Sequence, residues 1–167
     1  MSEPYIFIFD LDNTLVNTNL IKTNNMNQVY YDVNYNPYSI IKKDKRLQFL
    51  LRKISNRKII FSNASKPHII NVTESLGITN YFDLIIDRDI TGTFKPNLNS
   101  YIITMQMAGI HNLYKCIFFD DLLPNLITAK YIGWKTVLIG DKIEHPCVDF
   151  SFMTIQEALL YFIKYSK

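Results

Sequence analysis

Short apolar runs alternate with stretches of helical spacing along most of the chain. The runs with the length and apolar content of buried strands are residues 5–10, 58–62, 84–87, 116–120 and 135–139. The stretches whose apolar positions recur at helical spacing are residues 39–54, 67–76, 98–108, 125–131 and 154–165. Strands that alternate with helices predict an α/β fold in which a parallel sheet is covered on both faces, a three-layer sandwich.

Polar and acidic residues follow several of the predicted strands. The first strand ends in Asp10, with Asp12 just beyond it, and the second ends in Ser62. The strand at residues 116–120 runs into Asp120 and Asp121. In open parallel sheets, ligands bind beyond the carboxyl ends of the strands, so these side chains are expected to converge on one site.

The predicted site is strongly acidic. Asp10, Asp12, Asp120 and Asp121 would repel one another when ionised, and each would raise the pKa of its neighbours. A bound cation would offset that repulsion. Several hard oxygen ligands favour Mg²⁺, which usually binds through one or two carboxylates, water and substrate phosphate. The sequence therefore indicates a Mg²⁺ cofactor.

Other residues near the same edge suit an anionic substrate. Lys95 supplies a positive charge, and the Ser62 hydroxyl can donate to a phosphate oxygen. The turn that contains Asn63 leads into a predicted helix, whose N-terminal amides favour an anion. A phosphate ester is accordingly the expected substrate class.

Four motifs in order give the chain a family resemblance. They are residues 9–16 (FDLDNTLV), residues 61–64 (FSNA), residues 95–96 (KP), and residues 119–121 (FDD) followed by Asn125. Together they resemble the four motifs of the haloacid dehalogenase (HAD) superfamily, over roughly residues 5–140. The segments 62–68, 120–127 and 133–136 are most similar to the pyrimidine 5′-nucleotidase-like branch. The resemblance implies a HAD-like, Rossmann-like parallel sheet.

The resemblance also implies chemical roles. Asp10 is expected to attack phosphorus and form an aspartyl-phosphate, and Asp12 to protonate the leaving oxygen and then activate water. Asp12 is also expected to offer its backbone carbonyl to Mg²⁺, beside Asp10. An acid at this position favours phosphatase chemistry over dehalogenation, because only phosphoryl transfer to water requires that proton shuttle.

The remaining implied roles concern phosphate and metal. Ser62, Asn63 and Lys95 are expected to hold the transferring phosphoryl group, and Thr14 to order the loop and contribute to substrate binding. Asp121 is expected to be the direct metal ligand, with Asp120 either a second ligand or an indirect partner.

The chain departs from the nucleotidase branch in one respect. Too few residues lie between Thr14 and Ser62 for a helical cap domain, and the layout is closer to capless magnesium-dependent phosphatases. Residues 17–37 are expected to form only a flap. An open site predicts either a macromolecular substrate or a homo-oligomer in which a neighbouring subunit covers the site.

Length and composition limit the remaining possibilities. A chain of 167 residues fits a single domain over residues 1–167. No apolar run approaches the roughly 20 residues of a membrane span, and two cysteines without a secretory signal favour the cytoplasm. The net charge of +3 is concentrated in residues 42–58. That stretch is interpreted as the wet face of an amphipathic helix, with a nucleic-acid-binding stripe as the alternative.

Three functional hypotheses follow. The first is a phosphomonoesterase that acts on a nucleotide or a similar small ester. The second is a phosphatase that acts on a macromolecule, either a phosphoprotein or a polynucleotide end. The third is a HAD-fold binding module without catalytic activity, since a fold does not guarantee a function.

Overall fold

A computed structural model describes residues 5–19, 21 and 36–165. Most of the predicted flap, residues 17–37, lies outside the described residues, so the prediction for that segment is not tested. The six strands of the described residues are β1 Ile6–Phe9, β2 Lys58–Phe61, β3 Leu84–Ile86, β4 Cys116–Asp120, β5 Lys135–Ile139 and β6 Phe150–Phe152. They form one parallel sheet in the order β3-β2-β1-β4-β5-β6. All five predicted strands are confirmed, and β6 is additional.

The helices of the described residues match most of the predicted ones. They are α1 Lys45–Lys53, α2 Lys66–Leu76, α3 Arg88–Thr91, α4 Leu98–Ala108, α5 Leu123–Tyr131 and α6 Ile155–Tyr165. Single 3₁₀ turns occur at Pro37–Ile40, Thr79–Tyr81 and Leu113–Lys115. The short helix α3 and these turns were not predicted from the sequence.

Helices cover both faces of the sheet, which confirms the three-layer sandwich. Phe7 and Phe9 of β1 point into one buried cluster, which also holds the apolar faces of α1, α2 and α6. Ile8 points to the opposite cluster, which holds residues of α4 and α5. This alternation follows from the period of two along a strand, and it explains why both sides of β1 are apolar.

The helix predicted over residues 39–54 is wrong at its N-terminal end. The helix α1 begins only at Lys45, and a separate 3₁₀ turn precedes it. Asp44 causes the break, because its side chain accepts a hydrogen bond of 2.8 Å from the backbone N–H of Leu47 and so acts as the N-cap of α1. The preceding turn has its own cap, in which the Asn36 side chain accepts from the Tyr38 N–H at 2.9 Å.

The basic stretch at residues 42–58 is largely explained by the fold. Leu47, Leu50 and Leu51 are the buried residues of α1, as expected for an amphipathic helix with a charged outer face. The Lys58 ammonium group is buried and donates to the carbonyls of Ile54 and Asn56 at 2.7 and 2.9 Å. Within the described residues, no helix has the length and hydrophobicity needed to cross a bilayer.

Candidate active site

The loop after β1 places two carboxylates at the carboxyl edge of the sheet. The Asp10 N–H donates to the Phe119 carbonyl of β4 at 2.8 Å, which continues the ladder by one residue. The chain then turns, with Asn13 in the left-handed region at a φ of 64°. Asparagine tolerates this conformation better than most residues. The turn brings Asp12 to the same edge as Asp10, where both line one cavity.

Lys95 is the electrostatic centre of the site. Its ammonium group donates to Asp10 Oδ1 at 2.8 Å, to Asp120 Oδ2 at 2.8 Å and to the Phe61 carbonyl at 2.9 Å. Lys95 is only 4% exposed, so its three donor bonds are all made inside the protein. One buried cation therefore bridges the carboxylates that follow β1 and end β4.

The two adjacent aspartates at the end of β4 have different surroundings. Asp120 is completely buried, and its carboxylate accepts from Lys95, from Asn125 Nδ2 at 2.9 and 3.0 Å, and from the Leu122 N–H at 2.8 Å. Asp121 is partly exposed, lines the cavity and accepts a long hydrogen bond of 3.4 Å from the Thr14 hydroxyl. Asp120 thus has several internal partners, whereas Asp121 faces the cavity.

The loop after β2 contributes Ser62 and Asn63. Ser62 is buried, and its hydroxyl accepts from the Ala64 N–H at 3.1 Å. The Asn63 side chain holds the backbone of Lys95: its Oδ1 accepts from the Lys95 N–H at 2.7 Å and its Nδ2 donates to the Lys95 carbonyl at 3.0 Å. Both ends of the Asn63 amide are therefore used to position Lys95, and its contact with substrate stays a prediction.

Most of the predicted site residues meet at a single cavity of about 530 Å³. Those that line it are Asp10, Asp12, Ser62, Asn63, Lys95 and Asp121. Thr14 lines an adjoining cavity that shares Asn13 and Asp121 with the first. Asp120 lines neither cavity and lies behind Lys95. The structure thus brings all of the predicted residues to one edge of the sheet. Most of them face a cavity, whereas Asp120 supports Lys95 from behind.

Burial and like charges determine how these groups ionise. Burial raises the pKa of Asp10 to about 7; the Lys95 charge opposes this shift, and the Asp120 charge adds to it. The Asp121 pKa is also raised, chiefly by burial and then by the charge of Asp120. Burial alone would lower the pKa of Lys95, but Asp10 and Asp120 together raise it above its usual value. Lys95 is therefore firmly cationic, whereas ionisation of Asp10 and Asp121 is disfavoured without a further cation.

The carboxylates fit a metal ion. One oxygen from each of Asp10, Asp120 and Asp121 lies within 4.8 Å of the other two. Hard oxygen ligands of this kind suit Mg²⁺. Asp10 and Asp121 face the cavity, so these two are the side chains that would hold the ion. When bound, Mg²⁺ would supply positive charge against phosphate oxygens and against the carboxylates themselves.

The structure adds residues to which the sequence assigned no role at the site. Asn125 anchors Asp120, and Arg88, at the start of α3, lines the cavity with a partly exposed guanidinium group. His68 contacts Asp12, and Tyr38 contacts His68. Asn125 and His68 lie within segments that resemble family motifs, so the sequence indicated that both are near the site. Tyr38 and Arg88 lie outside the four motifs.

The family assignment rests on a direct comparison. A family model described as haloacid dehalogenase-like hydrolase matches residues 40–133, which is more than half of the chain. The chain therefore belongs to the haloacid dehalogenase-like hydrolase family. This confirms the superfamily level of the resemblance, whereas the nucleotidase-like, capless branch remains a prediction.

Solved structures agree on the fold. The chain superposes on a HAD phosphatase from Thermococcus onnurineus with a TM-score of 0.76 at 15% identity, covering 95% of this chain and 97% of that one. An L-2-haloacid dehalogenase from Xanthobacter autotrophicus gives a TM-score of 0.74 at 12% identity, over 99% and 100% of the two chains. A HAD-superfamily hydrolase from Ehrlichia chaffeensis gives 0.71 at 19%, over all of both chains. Similarity at this level of identity shows the fold. It does not decide whether the reaction is that of a phosphatase or that of a dehalogenase.

Proposed function

We propose that the protein is a Mg²⁺-dependent phosphomonoester hydrolase that works through an aspartyl-phosphate on Asp10. The observation that carries the proposal is that Asp10 and Asp12 line the same cavity as Ser62 and Lys95. A nucleophile, a carboxyl group able to carry a proton and two phosphate-binding groups are the parts that this reaction needs.

The proposed reaction has two steps. In the first, a carboxylate oxygen of Asp10 attacks phosphorus, the bond from phosphorus to the ester oxygen breaks, and Asp12 gives its proton to that leaving oxygen. In the second, Asp12 takes a proton from water, whose oxygen attacks phosphorus and releases phosphate and the Asp10 carboxylate. Lys95 and Ser62 stabilise the charge on the transferring group in both steps. Mg²⁺ held by Asp10 and Asp121 would add to this stabilisation.

Positive charge at the rim supports an anionic substrate. Arg88, the first residue of α3, lines the same cavity; its side chain is 48% exposed, and its Nε lies 3.8 Å from Asp89 Oδ1. A guanidinium group at this position can pair with a second anionic group of a substrate, since its planar donors suit phosphate and carboxylate. We favour a nucleotide or a similar small phosphate ester as the substrate. A phosphoprotein or a polynucleotide end is the alternative substrate.

Dehalogenation is the competing reaction in this family of folds. The related structure from Xanthobacter autotrophicus has been solved with chloropropionic acid covalently bound. Asp12 favours the phosphatase, because displacement of a halide needs no proton on the leaving group whereas an alkoxide does. Release of halide from 2-chloropropionic acid, with no turnover of any phosphate ester, would reverse this assignment.

The proposal is tested by assaying p-nitrophenyl phosphate with EDTA and with Mg²⁺, in the wild type and in the D12N variant. Activity should require Mg²⁺. The variant should keep Mg²⁺ binding but lose turnover by about 10²–10⁴-fold, because Asp12 also activates water in the second step. The release of p-nitrophenol in the first turnover should fall by less than the release of an alkyl alcohol, since that leaving group needs no proton. A panel of nucleotides, phosphopeptides and 3′-phosphorylated DNA then separates small from macromolecular substrates.

A further inference from the structure

Asp12 contacts His68, which lines the same cavity, and His68 in turn contacts Tyr38, which does not line it. His68 Nε2 lies 2.8 Å from Asp12 Oδ1, and the other ring nitrogen of His68, Nδ1, lies 3.1 Å from the hydroxyl of Tyr38. The rings of Tyr38 and His68 also pack edge to face, with their centroids 5.6 Å apart. Three segments that are distant in sequence therefore meet at one carboxylate.

His68 and Tyr38 are each positioned by local backbone structure. His68 lies in the first turn of α2, which begins after Ser65 with Pro67 inside its first turn. Tyr38 lies in the 3₁₀ turn, where its N–H donates to Asn36 and its carbonyl accepts from the Ile41 N–H at 3.0 Å. His68 therefore approaches Asp12 from a fixed helix, and Tyr38 approaches His68 from a capped turn.

The direction of the hydrogen bonds follows from their chemistry. An ionised Asp12 can only accept, so the proton must lie on Nε2 of His68. In a neutral ring Nδ1 is then an acceptor, and the Tyr38 hydroxyl donates to it. The two contacts thus select one tautomer and fix the plane of the imidazole.

A positioned carboxyl group matters because Asp12 is only partly buried. Its side chain is 32% exposed and that of His68 is 25% exposed, so packing alone does not hold the carboxylate in one rotamer. Proton transfer requires the acid within hydrogen-bond reach of the leaving oxygen, and a displacement of about 1 Å can cost about 10²-fold in rate.

We infer that His68 is a positioning residue that orients the Asp12 carboxylate for proton transfer, and that Tyr38 orients His68. The inference rests on the proposed function, because it concerns the acid of that reaction. Neither residue needs to touch the substrate for this role.

The test compares two substrates in matched variants. In the first turnover, the H68A variant should lose about 10–100-fold in the rate of leaving-group release from an alkyl phosphate such as glycerol phosphate, and less than about 5-fold from p-nitrophenyl phosphate. KM, the Mg²⁺ requirement and Tm should stay near wild type. H68Q should recover much of the loss, because the glutamine amide nitrogen can occupy the place of Nε2. Y38F should show a smaller loss of the same kind, and no further loss when combined with H68A. The control is H111A, which removes an exposed histidine from a loop outside the cavity.

A measurement independent of turnover completes the test. Nitrogen NMR of the imidazoles, assigned with H68A, should find the His68 proton on Nε2 in the wild type. An Nε2 without a proton would overturn the inference, as would equal losses on both substrates in H68A. A wild type that hydrolyses no phosphate ester would instead overturn the proposed function, and the two failures are therefore distinguishable.

Discussion

Replacing Asp10 with asparagine should stabilise the metal-free protein while abolishing its activity. Asparagine has the shape of a protonated carboxyl group and can still accept from Lys95. The pKa of Asp10 rises from its ordinary value of 3.8 to about 7 on folding, since the ionised form is buried beside Asp120. The native state therefore keeps a proton that the unfolded chain releases, and the stability contributed by Asp10 falls as the pH rises from about 4 to about 7.

The size of the effect follows from the same shift. At 1.36 kcal/mol per pKa unit, ionisation of Asp10 costs on the order of 4 kcal/mol at pH 8 and less than half of that at pH 5. Urea denaturation in EDTA should therefore show the D10N variant to be more stable than the wild type by a margin that widens between these two pH values. Added Mg²⁺ should narrow the margin, because it binds the native wild type. A margin that does not change with pH would refute the reasoning.

The remaining predictions concern metal binding by Asp121, structural support by Asp120 and steric strain at Gly77. D121A should require much more Mg²⁺ for activity, measured by Mg²⁺ titration, with little change in Tm. D120A should lose about 3 kcal/mol of stability in urea denaturation, because the buried donors of Lys95 and Asn125 would lose their acceptor. G77A should cost more stability than the matched G109A by thermal denaturation. Both glycines end a helix at positive φ, where a side chain costs roughly 1–2 kcal/mol. Of the two, only Gly77 would bring a Cβ against a neighbour, Gln48 Nε2 at 2.6 Å, and moving that group would break its hydrogen bond of 2.7 Å to the Leu76 carbonyl. Equal losses in either pair would contradict these assignments.

The sheet was predictable because its central strands are apolar on both faces. Buried parallel strands such as β4 and β5 carry continuous apolar runs with clear ends, and both were predicted with their observed bounds. The edge strand β6 was not predicted, because its three residues are only partly buried and carry little periodicity. Its position depends on Asp149, whose side chain accepts from the Thr136 N–H at 2.9 Å, a contact that no local pattern contains.

The sequence was sufficient to predict which residues meet at the candidate site. It was not sufficient to predict the hydrogen bonds between them. Strand ends and motifs were sufficient to bring Asp10, Lys95 and Asp120 together. The sequence could not show that Lys95 bridges both carboxylates, nor that the Asn63 amide is used to hold Lys95. These are tertiary contacts between loops, and their geometry depends on the packing of the whole sheet edge.

The site holds more carboxyl groups than cationic side chains. Lys95 donates to both Asp10 and Asp120, so one positive charge serves two carboxylates, and Asp121 and Asp12 add further negative charge at the cavity. A phosphate ester is itself an anion and would be repelled by this excess at short range. Productive approach to Asp10 therefore requires a cation to offset the carboxylates first. We accordingly expect Mg²⁺ to bind the protein measurably without any substrate, and phosphate esters to bind weakly without Mg²⁺.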